Sequence, residues 1–176
     1  MCEGFKAAGI ASGLKKNGLL DLGLIVSDTP AAVAGVFTRN RVQAAPVLLC
    51  KKRIQSGTSR AVIVNSGNAN CCTGDQGMLD ALRMAHLAAD ALGIAEDQVL
   101  PASTGVIGQP LAVGKIEAGL PDLVAALSPD GLDDFARAIM TTDTTPKGIS
   151  RHGIINGKTF TLIVVAKGFG MIRPDP

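Results

Sequence analysis

The apolar run Ala61–Val64 constrains the fold of this chain more than any other feature of the sequence. It contains no polar residue and leads directly into a Gly/Asn-rich loop at 65–70. A continuous run of β-branched residues, rather than an alternating one, is typical of a strand that is covered on both faces. A pattern with helical spacing follows at 74–93, so a helix is available to cover it. The sequence therefore predicts a layered α/β or α+β domain in which helices pack on a β-sheet.

Strand patterns dominate the first third of the chain and recur near its end. Residues 1–60 are predicted to be mainly β, with strand patterns at 19–28, 31–40 and 44–53. A further strand opens the segment 99–111. Residues 150–168 predict a hairpin, because Asn156-Gly157 is a strong signal for a tight turn between two strands.

Helical spacing of apolar residues recurs after the first predicted helix. Two more helices are predicted at 114–127 and 131–140, and Asp130 is a suitable N-cap for the second of them. The length of 176 residues fits one domain, so residues 1–176 are predicted to form a single unit.

Composition narrows the function classes. Aromatic residues make up 3% of the chain and the formal net charge is +2, whereas nucleic-acid modules need clustered basic residues and aromatic platforms. We therefore expect no nucleic-acid partner. The apolar runs are far shorter than the roughly 20 residues that cross a bilayer, and residues 1–5 do not resemble a secretion signal. We accordingly expect no membrane partner and a cytoplasmic location.

The four cysteines are Cys2, Cys50, Cys71 and Cys72. They show no CxxC spacing, and the chain has only two histidines, His86 and His152, to complete a zinc site. Unpaired thiols in a reducing compartment are the simplest interpretation, so no metal site is expected.

The loop 65–70, with the sequence NSGNAN, lies between the predicted buried strand and the predicted helix at 74–93. Such junctions present free backbone N–H groups at a helix N-terminus, where an anion can bind. Alternatively, the Asn side chains cap the turns of the loop itself. The spacing matches neither the dinucleotide fingerprint nor the P-loop, and both interpretations stay open at this point.

Hydroxyl groups and glycines occur together in the segment 101–110. Ser103 or Thr104 would act as a nucleophile only with a base nearby, and both histidines are far away in sequence. Thr104 and Gly105 fit better as a hydroxyl and a backbone N–H that stabilise a developing oxyanion. A tight structural turn is the alternative, and it has comparable weight.

Two further polar positions are candidates for a ligand site. The segment 140–148 contains four threonines, an aspartate and a lysine, and forms either a pocket wall or a helix exit closed by Pro146. Lys167 lies between a predicted buried strand and Gly168, and there it could pair with a substrate carboxylate. From spacing alone, a solvated lysine is the more common outcome.

Taken together, the motifs resemble those of the ornithine acetyltransferase family, the bifunctional glutamate N-acetyltransferases of arginine biosynthesis. The matching segments are VFTRN (36–40), AAPV (44–47), NSGNAN (65–70), CTG (72–74), STGVIG (103–108), TTDT (141–144) and AKGFGMIRP (166–174). They occur in order, from a GFKAAGIASGLKK start at 4–16 to the last residue. The resemblance implies a layered fold similar to the N-terminal-nucleophile arrangement.

The resemblance also implies an activity and a partner. Family members transfer an acetyl group from N-acetylornithine to glutamate without a metal or an organic cofactor, and acetyl-CoA is an alternative donor in bifunctional members. They cut themselves between an Ala and a Thr a little beyond the AKGxGM motif, and the freed Thr of the second chain is the nucleophile. By the family spacing, the cut would fall just beyond Pro176. The sequence would then be the α chain, with a β chain as its partner in an α2β2 assembly.

Residue by residue, the resemblance assigns Thr104 and Gly105 to the oxyanion hole and Thr141 and Lys167 to substrate binding. Phe169 departs from the small residue that is common in the motif, and RPDP at 173–176 departs from the usual ending. Two other functions are alternatives. One is a self-processed aminopeptidase or amidase with a similar nucleophile, and the other is a non-catalytic domain whose Asn-Gly loop binds a small anion.

Overall fold

The computed structural model describes residues 2–169. Its strands and helices follow along the chain in the order β1 (Phe5–Ile10), β2 (Leu22–Ala32), α1 (Ala45–Arg53), β3 (Thr58–Asn68), α2 (Gly74–Leu92), β4 (Val99–Val106), α3 (Val113–Ala125), α4 (Leu132–Ala138), β5 (Lys147–Ile155) and β6 (Lys158–Ala166). Within this part of the chain, no helix combines the length and the hydropathy needed to cross a bilayer.

The first four strands form one sheet in the order β1-β2-β3-β4. The pairs β1–β2 and β2–β3 are antiparallel, and β3–β4 is parallel. A parallel pair needs a crossover connection, which here contains α2. The register sets Ser66 opposite Thr104 and Gly67 opposite Gly105, so the polar ends of β3 and β4 lie side by side.

Strand β3 is covered on both faces, as the apolar run in its sequence predicts. Side chains alternate along a strand, so Ala61 and Ile63 face one layer while Val62 and Val64 face the other. The first layer consists of helices α2 and α3, whose buried residues join Leu22, Leu24 and Val99 in the larger core. The predicted layered α/β arrangement, with helices packed on a sheet, is confirmed.

Helix α4 and the hairpin β5–β6 lie on the opposite face of the sheet. Phe135 and Ile139 pack there against Ala7 and Val64, and Val165 of β6 joins the same cluster. The sheet accommodates the Phe135 ring because β2 carries Gly23 beneath it, where a Cβ atom would lie 2.9 Å from that ring.

Two of the predicted strands are wrong. Residues 44–53 form helix α1, because Pro46 lies in the first turn, where its missing N–H is not needed, and Lys51, Lys52 and Arg53 favour a helix C-terminus. The segment 31–40 is strand only as far as Ala32 and is irregular beyond it. Asp130 is not the cap of the last helix, since the N-cap is Gly131.

The predicted hairpin is confirmed and leaves an apolar face uncovered. Its turn residues Asn156 and Gly157 have φ of 50° and 75°, as a two-residue hairpin turn requires. Phe160, Leu162 and Val164 alternate along β6 and are 41%, 53% and 44% exposed. A lone two-stranded hairpin is marginally stable, and an exposed apolar face of this kind is typical of an interaction surface.

Candidate functional site

Thr104 and Lys167 meet between the sheet and the hairpin. Ala102 of β4 and Val165 of β6 both contact the α4-side apolar cluster. Because side chains repeat with a period of two along a strand, Thr104 and Lys167, each two residues further on, point toward the same space. The Lys167 ammonium donates to Thr104 Oγ1 at 2.5 Å. The lysine that spacing alone assigned to solvent is thus held by the end of the central sheet.

Thr141 completes a three-residue cluster. It follows α4, and its Oγ1 lies 3.5 Å from Lys167 Nζ. One ammonium group therefore contacts hydroxyls from the end of β4 and from the segment after α4. Of the four residues that the resemblance assigned, Thr104, Thr141 and Lys167 are in mutual contact through Lys167, and Gly105 is next to the first of them.

Gly105 occupies a position that only glycine fits. Its φ is 139°, a value that side-chain-bearing residues rarely adopt. A Cβ atom there would lie 2.3 Å from the carbonyl carbon of Gly67 and 2.5 Å from the backbone nitrogen of Asn68. The regular β3–β4 register also breaks at these two residues. The backbone that would supply the second oxyanion donor is therefore closely packed on the end of β3.

Asp143 contacts the backbone beside this cluster. Its side chain is 1% exposed. Oδ1 accepts hydrogen bonds from the Lys147 ammonium and from the Gly168 N–H, the latter at 2.7 Å, and Oδ2 accepts from the Thr141 N–H at 3.3 Å. The hydrogen bond from Lys147, followed by that from Gly168, holds the pKa of the Asp143 carboxyl well below its usual range. The carboxyl is therefore ionised at neutral pH.

An open cleft of about 850 Å³ lies beside Thr141 and Asp143. Its other lining residues are Lys15, Gly18, Leu19, Leu20, Asp133, Asp134, Arg137, Met140, Thr144 and Pro146. Burial lowers the pKa of Lys15, with a smaller contribution from nearby Lys167, while Asp21 and Asp143 oppose the shift. The cleft thus offers Lys15 and Arg137 as cations next to the hydroxyl cluster.

The loop that carries Lys15 is fixed by a fully buried carboxylate. Asp21 is 0% exposed, and its Oδ1 accepts from the Ser12 N–H at 2.6 Å and from the Ser12 hydroxyl at 2.8 Å. Its Oδ2 accepts from the Lys15 N–H at 2.7 Å. The Lys15 ammonium in turn donates to the Leu20 carbonyl at 2.8 Å. One wall of the cleft is therefore preorganised by hydrogen bonds within the β1–β2 connection.

In the NSGNAN segment, residues 65–68 form the end of β3 rather than a loop, and the Asn side chains make structural hydrogen bonds. Asn65 donates to the Asn68 carbonyl at 2.9 Å, and Asn68 Oδ1 accepts from the Asn70 N–H at 2.7 Å. The Asn70 side chain donates to the Gly77 carbonyl at 2.8 Å and so connects the loop to α2. These contacts support the structural interpretation of the loop over the anion-binding one.

The remaining candidates are engaged elsewhere. Ser103 donates to Asn65 Oδ1 at 2.6 Å, across the β3–β4 pair. His86 pairs with Asp90 at 3.3 Å, and His152 contacts Thr161 Oγ1 at 3.0 Å on the hairpin. Within residues 2–169, the hydrogen bonds and ion pairs of His86 and His152 therefore do not include Ser103 or Thr104.

The thiols of the described residues are unpaired. Cys2, Cys50, Cys71 and Cys72 are all free, and the sulfur atoms of Cys71 and Cys72 lie 3.8 Å apart. Across residues 2–169, no three His, Cys, Asp or Glu side chains are grouped closely enough to hold a metal ion.

Sequence reasoning missed the charged residues around the cluster. In the sequence, Asp143 is one residue of a polar segment and Lys15 is one residue of the GLKK run at 13–16. The signal for Asp143 was its place within TTDT, two residues after Thr141. Lys15 carried no local signal, because its proximity to Lys167 arises only from the tertiary fold.

Comparison with known proteins identifies a family that this chain matches. The ArgJ family model matches residues 6–175. Arginine biosynthesis bifunctional protein ArgJ of Geobacter sulfurreducens is 54% identical over 173 residues, which cover 98% of this chain and 44% of that protein. The protein of the same name from Symbiobacterium thermophilum is 52% identical, with coverages of 98% and 43%. The chain thus spans less than half the length of these curated relatives.

Solved structures confirm the fold. Arginine biosynthesis bifunctional protein ArgJ of Bacillus halodurans superposes with a TM-score of 0.92 at 43% identity, covering 99% of this chain and 91% of that chain. Ornithine acetyltransferase of Mycobacterium tuberculosis, complexed with ornithine, gives a TM-score of 0.93 at 42% identity, with coverages of 99% and 93%.

Proposed function

The chain belongs to the ArgJ family, and on that basis we propose that it is the α chain of an enzyme that transfers an acetyl group from N-acetylornithine to glutamate. The observation that carries the proposal is the Lys167 ammonium held between Thr104 and Thr141, beside an open cleft. The relative from M. tuberculosis, an ornithine acetyltransferase crystallised with ornithine, supports a substrate of this class.

The proposed chemistry is ping-pong acyl transfer. A Thr hydroxyl at the start of a second chain attacks the acetyl carbonyl of N-acetylornithine, and its own α-amine takes the proton. The carbon–nitrogen bond then breaks, and ornithine leaves with that proton on its amine. The amine of glutamate attacks the resulting acetyl ester, which gives N-acetylglutamate and restores the Thr hydroxyl.

Thr104 and Gly105 are the proposed donors to the oxyanion that forms in each half-reaction. Because Thr104 Oγ1 accepts from Lys167, its own proton is available for another acceptor. The cation also polarises that hydroxyl and thereby makes it a stronger donor. Lys167 and Thr141 additionally bind substrate, since donor and acceptor both carry an α-carboxylate that one fixed cation can pair with.

The proposed partner is a β chain released from the same precursor by a cut beyond Pro176. Coverage supports this. The chain spans 44% of the G. sulfurreducens relative but 93% of the matched chain in the M. tuberculosis structure. The matched chain in that crystal structure is therefore nearly the same length as this one. We further propose an α2β2 assembly in the cytoplasm, and the word bifunctional in the relatives' names supports acetyl-CoA as a second donor.

Initial-rate kinetics of the protein purified from its full-length gene test the proposal. N-acetylornithine and glutamate varied together should give parallel double-reciprocal lines, and ornithine release should stop after one equivalent when glutamate is absent. Intersecting lines would contradict the ping-pong order. Continuous release of acetate and ornithine without glutamate would instead identify the amidase alternative.

A further inference from the structure

Two charged side chains hold Gly168, the residue after Lys167, one at its N–H and the other at its carbonyl. The Gly168 N–H donates to Asp143 Oδ1 at 2.7 Å, and the Gly168 carbonyl accepts from Lys147 Nζ at 3.0 Å. Asp143 and Lys147 also contact each other, so the two groups form one unit. Gly168 has a φ of 140°, which allows the chain to turn there.

The Asp143 carboxylate also contacts the segment after α4, which carries Thr141. Asp143 Oδ2 accepts from the backbone N–H of Thr141 at 3.3 Å. The Asp143 side chain thus connects the segment after α4 to the segment after β6. Those segments carry Thr141 and Lys167, whose side chains are 3.5 Å apart. A change at Asp143 would release both backbone positions at once.

We propose that Asp143, together with Lys147, is a positioning residue that directs the Lys167 ammonium onto Thr104 and Thr141, so that substrate carboxylate and oxyanion donor are aligned. The inference depends on the proposed function, because it assigns Lys167 a role in substrate binding. The Asp143 side chain is 1% exposed and accepts hydrogen bonds from Lys147, Gly168 and Thr141, so it acts by fixing the segments that carry Lys167 and Thr141.

A double-mutant cycle on the processed enzyme tests the proposal. Asp143→Asn keeps the side-chain size but removes the charge and replaces one acceptor with a donor. KM should rise about tenfold for N-acetylornithine and for glutamate, as expected for weakening one charge-assisted hydrogen bond. In the Lys167→Met background the same change should have little further effect on KM. Asp122→Asn, on the exposed side of α3, makes the same chemical change and should leave both KM values unchanged.

The possible results distinguish the positioning role of Asp143 from the substrate-binding role of Lys167. Effects of Asp143→Asn and Lys167→Met that multiply would overturn the positioning role, since the residues would then act independently. An unchanged KM in Lys167→Met would instead overturn the substrate-binding role on which the inference depends. If the Asp143→Asn protein is not processed or does not fold, Lys147→Met is the substitute variant. It removes the hydrogen bonds of Lys147 to Asp143 and to the Gly168 carbonyl, and the Lys147 side chain is 42% exposed. The cycle of Lys147→Met with Lys167→Met then decides by the same criterion.

Discussion

Thr104 is the residue whose hydroxyl the proposed mechanism uses most directly. Thr104→Ala should lower kcat about a hundredfold, because losing one oxyanion donor costs on the order of 3 kcal/mol in the transition state. KM should change little, since the charge develops only during the reaction. Steady-state kinetics of the processed enzyme measure both constants.

Thr104→Ser is the matched control, because it keeps the hydroxyl that contacts Lys167. Its kcat should stay close to that of the parent enzyme. Equal kcat values for the Ala and Ser variants would remove the Thr104 hydroxyl from the mechanism.

Replacing Lys167 should weaken substrate binding more than it slows turnover. Lys167→Met keeps most of the stem and removes the charge, so KM should rise about ten- to a hundredfold, the effect of losing a charged hydrogen bond worth roughly 1.5–3 kcal/mol. The rise should be similar for N-acetylornithine and glutamate. Lys158→Met, at the start of β6, is the control for lost charge. A processed Lys167→Met enzyme with parental KM values would make Lys167 structural.

At the scale of residues, the family resemblance assigned Thr104, Gly105, Thr141 and Lys167 to one candidate site, but no local pattern predicted the contacts between them. Local spacing gave Lys167 as solvated and left Thr104 undecided between a turn and a donor. Only the resemblance placed Thr141 and Lys167 in one site. The contact of Lys167 with Thr104 joins residues 63 positions apart, and no local pattern encodes such a distance.

The hairpin β5–β6 makes a prediction at the scale of elements. Its outer residues Phe160, Leu162 and Val164 are exposed in this chain, and we expect the proposed β chain to cover them. Leu162→Lys should then destabilise the assembled protein by about 2 kcal/mol, the value of one buried aliphatic side chain. Urea unfolding of the purified complex measures this loss.

Leu79→Lys is the matched control for the hairpin, because Leu79 is 59% exposed on helix α2. It introduces the same charge on a different layer and should leave the unfolding midpoint unchanged. Equal effects of the two substitutions would show that the hairpin face stays open in the assembly.

Helix α1 makes a second prediction at this scale, through Cys50. The Cys50 thiol donates to the Pro101 carbonyl of β4 at 3.1 Å, and burial raises its pKa to about 11. A raised pKa keeps the thiol protonated at pH 8, and the thiolate is the reactive form. Iodoacetamide should therefore label exposed Cys72 well before Cys50, and urea should abolish the difference. Fast labelling of Cys50 in folded protein would contradict the packing of α1 on β4.

The elements show which sequence signals suffice for prediction. The buried strand β3, helix α2 and the hairpin turn were predicted because each has a strong local pattern. The segment 44–53, predicted as a strand, contains helix α1 instead, because Pro46 is a first-turn residue of a helix. Residues 33–40 contain strand-forming side chains but lie beyond the end of β2, so tertiary context overrides their propensity.

At the scale of the whole molecule, the chain has one complete and one partial layer around its sheet. Helices α2 and α3 cover one face with the larger core. On the other face, α4 and the hairpin bury a smaller cluster and leave apolar side chains exposed. The curated relatives are more than twice as long as the segment they share with this chain. The proposed second chain, which would complete the partial layer and bring the nucleophile to Thr104 and Lys167, would account for both facts.

The central claim is that this chain supplies the oxyanion donor and the cation while a second chain carries the acetyl group. Intact-mass analysis of the processed enzyme, mixed with N-acetylornithine in the absence of glutamate, tests it most directly. The account predicts one acetyl group on the second chain, none on this chain, and loss of the acetyl group when glutamate is added. An acetyl group on Thr104, Lys167 or any other residue of this chain that is then passed to glutamate would contradict it.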